Sequence, residues 1–222
     1  MAEENIFTTE EITVRGGKLY ATFKRCFDIS SSFVLILLCS PLFLVLTVLV
    51  AFSSRGHVIY RDRRVGKHGK TIFVYKFRTM VCDAEKQVEK YLTPEQLELW
   101  QKERKLANDP RITRVGRFLR KTSLDELPQL FNILFGKLSV VGPRPVSERE
   151  LAHFTEQQRE KLLSIKPGLT GCWQVYGRKS ATYENGERQK LELLYLKKRG
   201  FFYDLKLIFC TIPVVLKQEG AK

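Results

Sequence analysis

Residues 33–52, FVLILLCSPLFLVLTVLVAF, run without a single charge, and Ser40-Pro41 interrupts them near the middle. At about 1.5 Å per residue such a run reaches roughly 30 Å, the thickness of a bilayer hydrocarbon core. Both flanks are basic, with Lys18, Lys24 and Arg25 before it and Arg55, Arg61, Arg63, Arg64, Lys67 and Lys70 after it. Positive flanks stay on the cytoplasmic side, so a straight span would have to export one of them. In a continuous helix Pro41 cannot donate to the Leu37 carbonyl and crowds it, a cost of about 3 kcal/mol. The Ser40 hydroxyl, bonding back toward Ile36 or Leu37, would relieve part of that bend. Two readings stand on hydropathy alone: a helix that enters the membrane, breaks at Ser40-Pro41 and returns to the same face, or a kinked single span. A cleaved signal peptide fits poorly, because the run is long, starts late, and leads through Ser53 and Ser54 into arginine.

The 222 residues carry a formal charge of +14, which points to anionic partners: nucleic acid, acidic lipid headgroups or phosphorylated substrates. Beyond the membrane run and its approach, enough chain remains for one compact domain. Cys26, Cys39, Cys82, Cys172 and Cys210 are scattered, with no CxxC and no Cys/His cluster. That pattern favours reduced thiols in a cytoplasmic setting over a disulfide framework or a zinc site.

Along the chain, residues 1–23 read as an approach segment, 24–54 as the broken membrane helix, and 55–222 as a catalytic domain. VIYRDR, RVGKHGK and TIFVYKFRTM predict a β-hairpin over 58–80. Residues 83–106 predict helix, with Pro94 splitting it and opening the second piece. LPQLFNILF predicts a helix closed by Gly136. KLSVVGPRPV predicts a short strand running into a proline-fixed loop, and 148–165 an amphipathic helix. IKPGLTGCWQVYGR alternates glycine with β-formers and predicts loop and short strand, followed by helix over 184–198. The end, FFYDLKLIFCTIPVVLK, suits an amphipathic helix in the headgroup layer or a buried core helix. The fold class expected is α+β, mainly helical, with a small hairpin.

No GxGxxG, HExxH or GxSxG occurs, and the phosphate-loop tail Gly69-Lys70-Thr71 fails because Arg64 stands where its first glycine belongs. There is no DxD pair of the kind that holds a metal and a sugar nucleotide. What remains is Asp125-Glu126 in RKTSLDELPQL. With Pro128 in the first turn of a helix, Asp125 becomes the N-cap and both acids sit where the helix dipole favours negative charge. Ser123 and Glu126 also match a capping box, and taken by itself the pair reads first as a local helix cap. The surroundings argue for more. Arg111, Arg114, Arg117 and Arg120 recur every third residue upstream, Arg144 is locked between Pro143 and Pro145, and Arg178 closes the PGLTG segment. Cations gathered around two carboxylates would keep both ionised and neutralise a diphosphate. Taken singly, such arginines serve as surface charges or lipid anchors. His57, His68 and His153 are isolated, and Trp100 and Trp173 suit a core or a membrane interface.

With these motifs together the chain resembles the bacterial sugar transferases, the monotopic polyprenyl-phosphate phosphoglycosyl transferases. The resemblance covers about residues 18–217 and rests on KRCFD (24–28), Ser40-Pro41, RVGKHGK, YKFRTM, NDPRITRVGRFLRKTSLDELPQLFNIL, SVVGPRP and KPGLTGCWQVYGR. It implies a re-entrant membrane helix with both ends cytoplasmic, its topology set by Lys24, Arg25, Asp28, Ser40 and Pro41. It also implies a catalytic Asp-Glu dyad at Asp125 and Glu126, both also candidate ligands for Mg²⁺. Phosphate contacts are then assigned to Arg120 and Arg144, followed by Arg111, Arg114 and Arg178. The implied reaction moves a sugar-1-phosphate from a UDP-sugar to undecaprenyl phosphate on the cytoplasmic face of the bacterial inner membrane, releasing UMP through an aspartyl-phosphosugar intermediate. Partners on this reading are the donor, the polyprenyl phosphate and membrane lipids, with no nucleic acid; homo-oligomers are compatible with it. Asp62 stands where the family often has Gln, and Glu192 where Asp is frequent. The rival readings are a single-span membrane scaffold and a membrane-tethered nucleic-acid binder, which lacks any recognisable nucleic-acid signature.

Overall fold

The computed structural model describes residues 13–84, 88–103, 106 and 108–217. The chain opens with two helices, α1 (Lys18–Leu38) and α2 (Ser40–Ser53), bent by 65° at Cys39. Pro41 is the second residue of α2, where its missing N–H has no intrahelical role, so the bend falls one residue ahead of Ser40-Pro41. The Ser40 hydroxyl donates to the Leu37 carbonyl at 2.8 Å, recovering an acceptor that the break would strand. α1 begins at Lys18, six residues before the expected boundary at 24; residues 1–12 of the approach segment lie outside the described residues. Among the described residues no single helix is long and apolar enough to cross a membrane.

Strands β1 (Ile59–Val65) and β2 (Thr71–Phe77) form the predicted antiparallel hairpin, in register from Ile59 opposite Phe77 to Val65 opposite Thr71. α3 (Val88–Tyr91) and α4 (Pro94–Glu103) follow, with Pro94 opening the second as expected. α5 (Arg114–Thr122) carries the arginine-rich stretch, and a 3₁₀ turn (Leu124–Glu126) leads to α6 (Gln129–Leu134), after which Gly136 adopts a φ of 73°. β3 (Ser139–Val141) pairs with β4 (Gly168–Thr170) in parallel, a second two-stranded unit beyond the expected hairpin. Between them the single helix expected over 148–165 is two, α7 (Glu148–Leu151) and α8 (Glu156–Leu163). Ser147 with Glu150, and Thr155 with Gln158, each build a capping box, and Phe154 turns inward between them, 2% exposed. A second start signal inside an amphipathic stretch therefore cuts it. A π-helical turn (Trp173–Gly177), α9 (Glu187–Lys198) and α10 (Phe201–Leu216) complete the chain.

The helices α1 and α10 are inverted. Their buried residues include Asp28 and Ser32 in α1 and Asp204 in α10, whereas Phe23, Phe33, Leu38, Phe202, Phe209 and Leu216 are exposed. α2 likewise exposes Leu44, Val45, Val48 and Phe52. Exposed apolar side chains in such number mark a surface suited to a membrane or a protein partner.

Of the residues expected to set topology, the three charged ones, Lys24, Arg25 and Asp28, fasten α1 to the domain. Lys24 pairs with Asp204, and Arg25 donates to the Ile133 and Leu134 carbonyls at 2.7 Å each, closing the C-terminus of α6. Asp28 accepts from the Ser139 hydroxyl at 3.0 Å and the Val140 N–H at 2.9 Å. At the far end of α2, Arg78 of the YKFRTM motif is 8% exposed and donates to the carbonyls of Val50, Ser54 and His57. Arg78→Met is expected to leave these acceptors unsatisfied at a cost of about 3 kcal/mol, lowering the thermal midpoint in detergent by about 6–12 °C. Scanning fluorimetry checks this; an unchanged midpoint would mean that water replaces the guanidinium.

Between these fastenings, Leu46 and Val50 of α2 form a buried cluster with Phe77 and Leu119, and Leu124 and Leu127, on either side of the acidic pair, pack against that cluster. The acidic pair is thus tied to the bent apolar helix through one shared hydrophobic cluster.

Candidate active site

Ser123 closes α5 in the left-handed conformation, φ 57°, and the chain turns at once into the 3₁₀ segment bearing Asp125 and Glu126. This overturns the expected capping box: Ser123 makes no side-chain cap, and α6 starts at Gln129 behind an αR Pro128. The acids precede the helix instead of capping it, which leaves their oxygens available to a partner.

Asn132 of α6, 1% exposed, accepts from the Tyr75 N–H at 2.8 Å and donates to the Phe73 carbonyl at 2.7 Å. That clamp fixes α6 on β2 and brings Lys76 beside Glu126, Nζ to Oε1 3.4 Å, with side chains 20% and 27% exposed. Glu126 is drawn toward burial, which raises its pKa. Lys76, Arg144 and Arg178 outweigh that effect and hold it below the ordinary carboxylate range. Asp125 goes the other way. Burial first, and then the Glu126 charge, push it up to about 6 against the opposing pull of Lys76 and Arg120. Neighbouring carboxylates with pKa values driven apart mark a site where the two have different tasks.

The arginines fall into groups. Arg120, half-buried, donates to the Thr79 hydroxyl at 2.9 Å and lies close enough to Asp125 to be felt electrostatically. Arg144 stacks on the Trp173 ring at 5.1 Å, its backbone N–H bonded to the buried Glu192 at 3.0 Å. Arg178 reaches Glu126 electrostatically from the π-helical turn. Arg114 is exposed on the first turn of α5. Arg111 is 2% exposed, bonded through three contacts to Asp109 and stacked on Trp100, so it supports the basic wall from behind.

The model of the family described as bacterial sugar transferase matches residues 19–218. The chain belongs to that family. This sugar transferase is 45% identical over 200 residues to the exopolysaccharide production protein ExoY of Rhizobium meliloti, covering 89% of this chain and 87% of that one. It is 44% identical to the undecaprenyl-phosphate galactose phosphotransferase of Salmonella typhimurium, covering 89% of this chain and 41% of that protein. The UDP-glucose:undecaprenyl-phosphate glucose-1-phosphate transferase of Klebsiella pneumoniae is 41% identical over 196 residues, which span 39% of its length. Relatives of the second kind are more than twice as long as the matched region.

Among the described residues of the transferase no group of three His, Cys, Asp or Glu side chains could hold a metal. Mg²⁺ does not demand one: it is commonly held by one or two carboxylates with the remaining positions given to substrate phosphates and water. Asp125 and Glu126 fit that mode: the two carboxylates would hold the ion, and its charge would offset the repulsion by which Glu126 raises Asp125.

Lys76 escaped the sequence reading although a signal existed. Strand alternation puts it on the same face as the buried Ile72 and Val74, and a lysine in a core-facing position needs an acid. Lys76→Gln is expected to lower turnover by about 10²-fold and, by removing an opposing charge, to raise the pKa of Asp125. The acid limb of the pH–rate profile then moves above the parent's. A slower enzyme with an unmoved limb would make Lys76 a substrate contact only.

Proposed function

We propose that this transferase moves a sugar-1-phosphate from a UDP-sugar to undecaprenyl phosphate and releases UMP, at the cytoplasmic face of the bacterial inner membrane. The observation that carries the proposal is the position of the acidic pair: ringed by Lys76, Arg120, Arg144 and Arg178, and joined through Leu124 and Leu127 to the apolar cluster that holds Leu46 and Val50 of α2. A polyprenyl chain stays in the bilayer, so its phosphate meets a water-soluble donor only at headgroup depth. α2, 14 residues, is about 21 Å long, and sharing the 65° bend equally between both arms makes it descend only about 11 Å. A V of that depth enters one leaflet and returns, which supports the re-entrant reading over the kinked span. Labelling tests it: Asn5→Cys should resist an impermeant thiol reagent added outside intact cells, and reaction there would overturn the topology.

In the first step an Asp125 carboxylate oxygen attacks the β-phosphorus of the donor. The bond from that phosphorus to the bridging oxygen breaks, and UMP leaves with the oxygen. In the second, a phosphate oxygen of the polyprenyl phosphate attacks the same phosphorus, breaking the acyl-phosphate bond and regenerating the Asp125 carboxylate. Glu126, ionised at neutral pH, is the better metal ligand, and Asp125 the second. A bound Mg²⁺ would supply charge neutralisation on the diphosphate oxygens. Arg144 and Arg178 stand on the Glu126 side and Arg120 on the Asp125 side, so phosphate oxygens between them meet fixed positive charge.

The decisive assay presents a panel of UDP-sugars and measures UMP. Release that requires both Mg²⁺ and undecaprenyl phosphate for multiple turnovers is expected. UMP formed equally well without the lipid over many turnovers would reduce the activity to hydrolysis and sink the proposal.

A further inference from the structure

At the opposite end of α1 from the bend, a cleft of about 520 Å³ opens between the start of that helix and the α9–α10 junction. Its walls are apolar: Leu19, Phe23 and Phe201, which are 72%, 61% and 54% exposed, with the ring of Tyr20 between them. Two guanidinium groups line it, from Arg15 and Arg199, and no carboxylate does. Arg199 is the unexplained group. It is 9% exposed, its Nε has no hydrogen-bond partner, and no acceptor bonds any of its guanidinium nitrogens among the described residues. The Tyr20 ring lies 5.0 Å from its guanidinium carbon. Asp204 is engaged elsewhere: Tyr20 and Lys24 donate to one of its oxygens and Tyr195 to the other.

A buried guanidinium without an acceptor is costly, so its persistence at the edge of a cleft calls for an anion there. We propose that this cleft holds the phosphate of an acidic phospholipid, Arg199 and Arg15 taking the headgroup and Leu19, Phe23 and Phe201 taking the upper acyl chain. Charge complementarity and continuity select this occupant. Phe27, one turn along α1 from Phe23, and Phe202, next to Phe201 in α10, are exposed apolar residues beside these walls. A free phosphate would satisfy Arg199 but leave those walls wet, whereas a membrane lipid answers both. The site lies two turns beyond Glu192 along α9, apart from the residues that gather around Asp125. Its role is to seat the helix pair against the leaflet through one specific lipid, in addition to the general basic attraction.

The inference rests on the membrane reading above, and the experiment separates the two. Flotation with vesicles of phosphatidylcholine and phosphatidylglycerol reports membrane association, and parent, Arg199→Gln and Leu19→Trp are all expected to float. Native mass spectrometry of the full chain in detergent reports the specific site. The parent is expected to retain one phosphatidylglycerol and no phosphatidylcholine. Arg199→Gln should retain about tenfold less, Leu19→Trp should block the cleft with Arg199 intact, and Lys70→Gln at the exposed hairpin tip should match the parent. Failure of the parent to float sinks the membrane reading. Flotation with equal lipid retention in both cleft variants sinks this proposal alone. Two further results also overturn it: inorganic phosphate raising the thermal midpoint as much as phosphatidylglycerol does, or polyprenyl phosphate displacing the retained lipid one for one.

Discussion

Asp125→Asn is expected to lose about 10⁴-fold or more in turnover, because an amide cannot form the acyl-phosphate and the remaining charges hold substrate without opening a second route. The same substitution is expected to stabilise the protein. Burial and the Glu126 charge raise Asp125 from 3.8 to about 6, so the folded state binds its proton more tightly than the unfolded chain does. Stability contributed by this group is therefore full below pH 4 and lost as pH rises through about 6. At neutral pH the ionised form costs up to about 3 kcal/mol. The near-isosteric amide avoids that cost, so the variant's thermal midpoint in detergent should exceed the parent's at pH 7.5 and the gap should close toward pH 4. In the parent, turnover should rise with pH through about 6 as the nucleophile ionises, and bound Mg²⁺ would shift that limb downward. Mass spectrometry of the parent with donor alone should show a phosphosugar on Asp125 that the variant lacks. Near-parent turnover in Asp125→Asn, or no adduct after rapid trapping in the parent, removes Asp125 as the nucleophile.

Much of this arrangement is written locally and much is not. The break at Ser40-Pro41, the hairpin, the entry of α4 at Pro94 and the close of α6 at Gly136 follow from proline, glycine and hydroxyl positions that act within a few residues. Caps are equally local, yet Ser123-x-x-Glu126 misleads while Ser147-x-x-Glu150 and Thr155-x-x-Gln158 form. The difference is that Ser123 already ends α5 in the left-handed region and cannot also adopt the extended backbone of an N-cap. The acidic pair and its arginines were legible as a concentration of charge; their division of labour was not. Lys76 reaches Glu126, fifty residues along the chain, through the Asn132 clamp between α6 and β2. Arg111 shares the spacing of Arg114 and Arg120, but Asp109, two residues away, claims it. Asp28 reads as part of a membrane flank until Ser139 and Val140 are found bonding it. Local chemistry shows in a sequence, whereas partners brought together by the fold do not.

Gly168→Ala is expected to be among the most damaging small substitutions outside the acidic pair. A methyl group there would stand 2.0 Å from the Gly142 nitrogen and 2.6 Å from its Cα, both backbone atoms with no rotamer to yield. The SVVGPRP and KPGLTG motifs meet at this point. Gly142 donates to Thr170 at 2.9 Å, Gly168 donates to Pro143 at 2.7 Å, and a Cβ on Gly171 would lie 2.1 Å from the Gly142 carbonyl. Three glycines let two backbones touch, and the contact aims the next residue but one, Arg144, toward Glu126. Wedging the strands apart breaks at least one of those bonds and overpacks the contact, a loss of about 3 kcal/mol. It also lifts Arg144 from the Trp173 ring and its backbone from Glu192, so turnover should fall by about 10²-fold. Gly69→Ala at the hairpin tip calibrates the effect. Its φ of 72° is strained for alanine but nothing lies within 4 Å, so about 1 kcal/mol is lost and turnover should hold. If Gly168→Ala loses the stability but keeps the parent's turnover, Arg144 does not act on the phosphates and its place between two prolines is purely structural.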